Sequence, residues 1–455
     1  MPTSSATCTK RSFAPAAKLL VALVFLTLVN AAMSFAFEPY GSKSQLVWTD
    51  YTAQEQLDTV VVGSSVMQHA LNPDVFDEAA GAVSYNMSTP MQTLIESFVG
   101  IRTAYEDHGI TRAVLSLTPE VMNWTTDRPN PGSVFLTQRA KVVGPLEAAK
   151  TWSYVTFDKG GVTGPNSLNC FLPWVSNHTP AKPNRVLKNI KMKLDGTSMY
   201  KASEVNEPGW IYRGRGCGNR DSVLDYDSDE ARTNFDRADI SKVNVRSEAM
   251  LREIAAWCQE RGIDLVAVGV PMPVYDVLGR FDQYCKLQDR IAAICSDAGV
   301  DYYDFNLVRP ELMQIPPESF CDYAHLGNQG SIAFSQALGR LLVERDKGED
   351  VRALFFSPDE YRASIGYISA VFVDVGSQAD GVHVHARAFA GSQVKVSYQL
   401  CEKDGDGWRE VATWQDSPDF VYAPASHGTC KLRVNVRVAG SSEPFEHYRE
   451  FTAVY

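Results

Sequence analysis

From Leu57 onward, short apolar runs alternate with longer stretches of helical period, and this alternation confines the chain to a parallel sheet covered by helices, an α/β fold. Residues 58–62, 82–85, 113–117, 265–270 and 300–304 read as strands. Between and after them, 90–108, 247–260, 281–297 and 329–344 read as helices. The first of these helices places Leu94, Phe98, Ile101 and Tyr105 at helical spacing, and the last places Phe334, Leu338, Leu341 and Leu342 on one face. The run 265–270 is apolar throughout, as expected of a strand buried on both faces.

Two segments break the rhythm. Residues 124–243 are rich in Gly, Pro, Asn, Trp and Asp without a sustained period, and are read as an irregular insertion of the kind that forms a cap or binding surface. After Asp359 the period changes from 3.6 to 2, with runs at 367–375, 382–389, 394–400, 408–414 and 432–438. The expectation is an α/β domain over 45–346 followed by an all-β, immunoglobulin-like sandwich over 360–455.

No charge occurs from Leu19 to Phe37, between Lys10, Arg11 and Lys18 on one side and Glu38 on the other. As a helix, this stretch is roughly 28 Å long, close to the hydrocarbon thickness of a bilayer. The basic residues predict residues 1–18 inside, 19–37 as a single-pass anchor and the bulk of the chain outside the cytoplasm. A cleaved signal peptide is the competing reading, since Ser34-Phe35-Ala36 loosely fits a cleavage site. The rest of the chain, with 45% hydrophobic and 21% charged residues overall, has globular composition. A net charge of −11 repels phosphate backbones and argues against a nucleic-acid partner. Eight of the nine cysteines follow the apolar stretch. Cys401 with Cys430, and Cys170 with Cys217, are the expected disulfides, whereas Cys258, Cys285 and Cys295 on helices are expected to be free thiols. Nothing in the spacing of His and Cys suggests a metal site.

A serine hydroxyl is a poor nucleophile unless a base lies within hydrogen-bond reach and a carboxylate orients that base. Ser65 stands directly after the first strand, at the carboxyl edge where ligands bind in open α/β sheets. Asp322 and His325, three positions apart, precede the last helix of the domain. Separately, a Gly-Ser-Ser turn and an Asp-x-x-His segment are common; together, one ending the first strand and the other opening the last helix, they make a candidate nucleophile, orienting acid and base. His69 lies four residues after Ser65 and is read as structural. Trp152, Trp174 and Trp210 are read as core residues before stacking platforms, and Asp225, Asp227, Asp229 and Glu230 as a solvated loop. Asn86, Asn123 and Asn177 each open an Asn-x-Ser/Thr sequon.

Val61-Val62-Gly63-Ser64-Ser65 resembles the first block of the SGNH (GDSL-like) hydrolases, with Ser64 at the usual Asp, and Asp322-x-x-His325 resembles their last block. The Gly-Ser-Ser block, apolar N-terminus and late Asp-x-x-His are similar to those of the subgroup with the D-alanyl transfer protein of teichoic acid synthesis and the polysaccharide O-acylation proteins. The resemblance covers about residues 45–345. It implies an acyl-enzyme on Ser65, no metal or diffusible cofactor, a membrane acyl donor, a sugar or polyol acceptor and a membrane acyltransferase partner. Family members take oxyanion donors from a Gly after the second strand and an Asn after the third. Here Ser88 stands at the second-strand position, and Thr118-Pro119-Glu120 follows the third strand. Asn86 and Asn123 are the substitutes in reach of the sequence. A catalytically inactive scaffold that binds glycan is the alternative.

Overall fold

A computed structural model describes residues 14–123, 132–158, 172, 174, 183–232, 235, 239–424 and 428–455. Helices α1 (Ala14–Phe37) and α2 (Lys43–Tyr51) lead into β1 (Thr59–Val62), α3 (Ser65–Ala70), α4 (Pro73–Ala80), β2 (Ser84–Asn86), α5 (Leu94–His108), β3 (Arg112–Ser116) and α6 (Pro119–Asn123). The insertion follows as α7 (Gly132–Val143), α8 (Pro145–Ser153), a π turn (Tyr154–Asp158), α9 (Pro183–Leu194), α10 (Met199–Asn206), β4 (Ile211–Gly214), β5 (Cys217–Asn219) and α11 (Asp229–Arg232). The α/β rhythm then resumes with α12 (Val245–Glu260), β6 (Asp264–Gly269), α13 (Val274–Gly279), α14 (Phe281–Asp297), β7 (Asp301–Asp304), α15 (Asn328–Asp346) and α16 (Pro358–Ser364).

Strands β1, β2, β3, β6 and β7 form one parallel sheet in the order β2-β1-β3-β6-β7. Alternation along each strand divides the core in two. Val61, Val114, Val266 and Val268 face α15 and α4, while Val60, Val62, Ala113, Leu115, Leu265 and Ala267 face α2, α5, α12 and α14. Chain order reverses between β1 and β3, and this switch point opens a crevice beyond their carboxyl ends.

The C-terminal module consists of β8 (Ile368–Gln378), β9 (Gly381–Ala390), β10 (Val396–Asp404), β11 (Gly407–Gln415), β12 (Asp419–Tyr422), β13 (Thr429–Val438) and β14 (His447–Val454). They form a four-stranded sheet, β11-β10-β13-β14, and a three-stranded one, β12-β9-β8, around a shared apolar layer. The two strands without a sequence signal, β12 and β14, are both edge strands. Each has one neighbour, and β14 carries Arg449 and Glu450, so its apolar alternation is weak.

Two expectations are corrected. The described part of the insertion is largely helical: its elements are short, and their polar faces dilute the periodic signal. The Cys401–Cys430 disulfide does not form. Cys401 pairs with Arg433 across β10 and β13, which leaves Cys430 three residues, about 10 Å, out of register, beyond disulfide reach. Cys217 is a free, buried thiol, and its expected partner Cys170 lies outside the described residues. Cys258, Cys285 and Cys295 are free thiols as well.

Candidate active site

Ser65 is positioned by a tight junction between β1 and α3. A side chain at Gly63 would bring its Cβ within 2.7 Å of Ser116 Cβ and 2.9 Å of Met67 Cβ, so only glycine lets the strand end there. Ser64 then caps α3, its hydroxyl accepting from the Val66 amide at 3.4 Å. Ser65 becomes the first helical residue, and its own amide has no acceptor among the described residues.

The second half of the site is a loop closed by a bridge between Phe320 and Leu326. The Cys321 amide donates to the His325 carbonyl at 3.0 Å, and the Leu224 and Asn328 amides tie the loop ends to residues 220–224 of the insertion. Inside this loop, Asp322 Oδ1 accepts from the amides of Ala324 (2.8 Å) and His325 (2.9 Å). The same carboxylate meets His325 Nδ1 at 2.9 and 3.0 Å. A carboxylate only accepts, so Nδ1 carries the proton and Nε2 is left as an acceptor. His325 Nε2 lies 2.9 Å from Ser65 Oγ. Burial would raise the Asp322 carboxyl, but the His325 hydrogen bond and charge and the Ala324 amide hold it down to about 2.

His69 lies behind this pair. Its ring stacks on that of His325, with centroids 4.4 Å apart and planes at 35°. Its Nδ1 is 3.8 Å from Cys321 Sγ. Burial and the neighbouring His325 push its pKa well below the usual histidine value, so it remains neutral beside the candidate base. Burial likewise pushes the Cys321 thiol up to about 12. The i,i+4 spacing of Ser65 and His69 on one short helix was the available clue to this packing.

The Ser88 amide and the Asn86 side chain have other partners, whereas the buried Ser88 hydroxyl has none among the described residues. The Ser88 amide donates to Asn86 Oδ1 at 3.1 Å, and Asn86 Nδ2 donates to the carbonyls of Met67 (3.0 Å) and Leu71 (2.9 Å), closing the end of α3. Asn86 is fully buried, so its sequon is inaccessible. Asn123 ends α6, whose Pro119 and Glu120 line the crevice, but is not itself a lining residue, and Asn177 lies outside the described residues. Trp210 is buried, with Gly218 packed against its ring and Lys43 4.9 Å from its centroid; Trp152 packs edge-on to Phe157. Asp229 pairs with Arg449, and Asp227 lies 3.7 Å from His447. His383 and His385 are tied to Asp380 and Asp419, each at 2.7 Å.

At the switch point beside Ser65 lies a cavity of about 320 Å³. Val66 and Thr118 form one side, Tyr323 and Ala324 the rim, and Phe235, Val270, Met272 and Tyr275 an apolar wall. Its far end holds the Asp276–Arg280 pair, where burial raises the Asp276 carboxyl despite the adjacent guanidinium. Phe235 and Tyr275 in turn pack on Phe372 and Phe389 of the β module, with centroids 5.0–6.2 Å apart, so that module supports the cavity wall.

No protein-family model matches the chain, and no curated protein matches it. Among solved structures, it is similar to a Bacteroides fragilis protein assigned as an acylhydrolase, with a TM-score of 0.30 and 8% identity over 65% of this chain and 94% of the other. It is also similar to a gut microbial diltiazem-metabolizing enzyme, with a TM-score of 0.27 and 10% identity over 81% and 73% of the two chains. Likeness of this degree transfers no activity to this chain.

Proposed function

We propose that the chain is a serine enzyme of the SGNH type that hydrolyses or transfers acyl groups outside the cytoplasm, held at the membrane by α1. The observation that carries this reading is the 2.9 Å contact of Ser65 Oγ with His325 Nε2, with Asp322 bound to the opposite ring nitrogen. Ser65 Oγ attacks the acyl carbonyl carbon while His325 Nε2 takes its proton, and Asp322 stabilises the resulting imidazolium. Collapse of the tetrahedral adduct breaks the ester bond, the leaving alcohol takes the proton from His325, and the acyl group remains on Ser65. His325 then deprotonates the acceptor, which is water in an esterase and a hydroxyl of an envelope glycan or polyol in a transferase; its oxygen bonds to the acyl carbon, the bond to Ser65 Oγ breaks, and Ser65 takes the proton back from His325. The Ser65 amide is the available donor to the developing oxyanion. The adjacent cavity receives the acyl group. As a transferase, the enzyme draws its acyl group from a membrane donor or a membrane acyltransferase partner, which the anchor would place within reach.

The test is fluorophosphonate labelling of the full chain in detergent, comparing the native protein with Ser65→Ala and His325→Ala. Labelling that requires both residues is expected. A folded native protein that takes no label would favour a glycan-binding scaffold instead, a reading to which the engaged Asn86 side chain and Ser88 amide lend weight.

A further inference from the structure

Helix α1 is long and apolar enough from Pro15 to Phe37 to cross a bilayer, is uncharged after Lys18, and is exposed over residues 15–29 among the described residues. Its last two turns are only partly covered by the insertion: Met33, Ser34, Ala36 and Phe37 are half-buried, while Ala31, Ala32 and Phe35 stay exposed. Glu38 is the junction: Gln138 donates to its carboxylate at 2.6 Å, Lys141 pairs with it, and Lys193 donates to the carbonyls of Phe35 (2.6 Å) and Glu38 (2.8 Å). Trp174 Nε1 donates to Asn30 Oδ1 at 2.9 Å. Asn30 lies seven residues before Phe37, about 10 Å back along the helix. If α1 spans the bilayer, the insertion therefore reaches the depth of the outer headgroups, where tryptophan is favoured.

The distribution of exposed apolar side chains points the same way. Outside α1, the described residues leave four Leu or Phe side chains largely in solvent: Leu146 (68%), Phe157 (70%), Leu187 (63%) and Leu194 (72%). All four lie on α8, the π turn and α9, elements of the same insertion whose α7, α9 and Trp174 hold the end of α1. On α9, Leu187, Lys191 and Leu194 form one exposed i, i+4, i+7 stripe. Every charged residue of α9 is basic (Arg185, Lys188, Lys191 and Lys193), in a chain of net charge −11. A basic helix with exposed leucines matches an anionic lipid surface in both charge and apolarity.

We infer that α8, the π turn and α9 form a membrane-apposed face, with Leu146, Phe157, Leu187 and Leu194 among the lipid headgroups of the outer leaflet and the exposed Arg185 and Lys191 of α9 on anionic phosphates. This face goes beyond the proposed chemistry and rests on α1 being a transmembrane span. It fixes the height and orientation of the α/β domain over the bilayer.

The experiment uses the full chain in nanodiscs of equal parts phosphatidylglycerol and phosphatidylcholine, with the photo-crosslinker p-benzoylphenylalanine placed at Phe157, Leu187 or Leu194. Leu23 in α1 is the positive control, and Val421, exposed on the β module, the negative one. Lipid adducts at the three insertion positions are expected within about threefold of Leu23, and about tenfold or more above Val421. In discs of phosphatidylcholine alone, the adducts at Leu187 and Leu194 fall several-fold while that at Leu23 is unchanged. Adducts at Leu23 without adducts at the insertion would overturn the inference, including where a protein partner covers this face instead. Loss of adducts at Leu23 as well would remove the anchor on which it rests. Equal yields in both lipid mixtures would refute the role of anionic headgroups.

Discussion

Replacing Asp322 with asparagine separates the orienting role of the carboxylate from its structural one. In the native loop Oδ1 accepts from two backbone amides as well as from the imidazole. An asparagine oxygen retains the two amides, so the bridge between Phe320 and Leu326 survives. Exchanging a charged for a neutral acceptor costs about 1–2 kcal/mol in stability. The asparagine NH₂ takes the place of Oδ2, 3.0 Å from His325 Nδ1, and with Oδ1 already accepting from two amides this favours the tautomer in which Nδ1 accepts. The ring proton moves to Nε2 and points at Ser65 Oγ 2.9 Å away, and the serine loses its base. The same exchange in the serine-protease triad lowers turnover about 10⁴-fold. That corresponds to about 5.5 kcal/mol of transition-state stabilisation. The assay is the rate of fluorophosphonate labelling and of activated-ester hydrolysis by the Asp322→Asn chain, alongside its melting temperature. Labelling within about tenfold of the native rate in a protein that melts normally would refute the argument, because the imidazole would then not depend on this carboxylate.

Other perturbations probe the surroundings of the site. His69→Phe preserves the ring under His325 and is expected to retain most of the labelling rate, while His69→Ala loses about ten- to a hundredfold; equal rates would deny His69 a positioning role. His69 is depressed in the folded protein, so its contribution to stability is present above pH 6.5 and lost as the pH falls below it, and the His69→Phe chain should lose less stability on acidification. Burial raises the Glu96 carboxyl from 4.5 to about 7, although it accepts from the Thr93 amide at 2.8 Å. The stability linked to Glu96 is therefore present below pH 4.5 and lost as the pH rises through 7. Relative to Glu96→Gln, the native chain should lose up to about 3 kcal/mol over that window in urea titrations; parallel pH profiles would show a compensated carboxylate. Gly216 has φ +84°, and a Cβ there would lie 1.7 Å from the Asn86 carbonyl oxygen. Gly216→Ala should cost at least about 2 kcal/mol, and an unchanged melting temperature would contradict this packing of the β4–β5 hairpin.

The order of strands and helices, the change of period after Asp359 and the apolar span were legible in the sequence because each is written in local repeats of 3.6, 2 or uninterrupted hydrophobicity. Ser65, Asp322 and His325 could be singled out from the same pattern: Ser65 follows the first strand directly, and Asp322 and His325 lie in the loop before the last helix of the domain. Tertiary structure decided everything that depends on partners distant in sequence. It brought Nε2 to Oγ, slid His69 under His325, and spent the Asn86 amide on the end of α3. It also shifted Cys430 out of register with Cys401 and packed Phe372 and Phe389 behind the cavity wall. Those outcomes follow from how the elements pack and which register the strands adopt, and no local pattern encodes the spacing between side chains that meet only when the sheet and its two cores have closed.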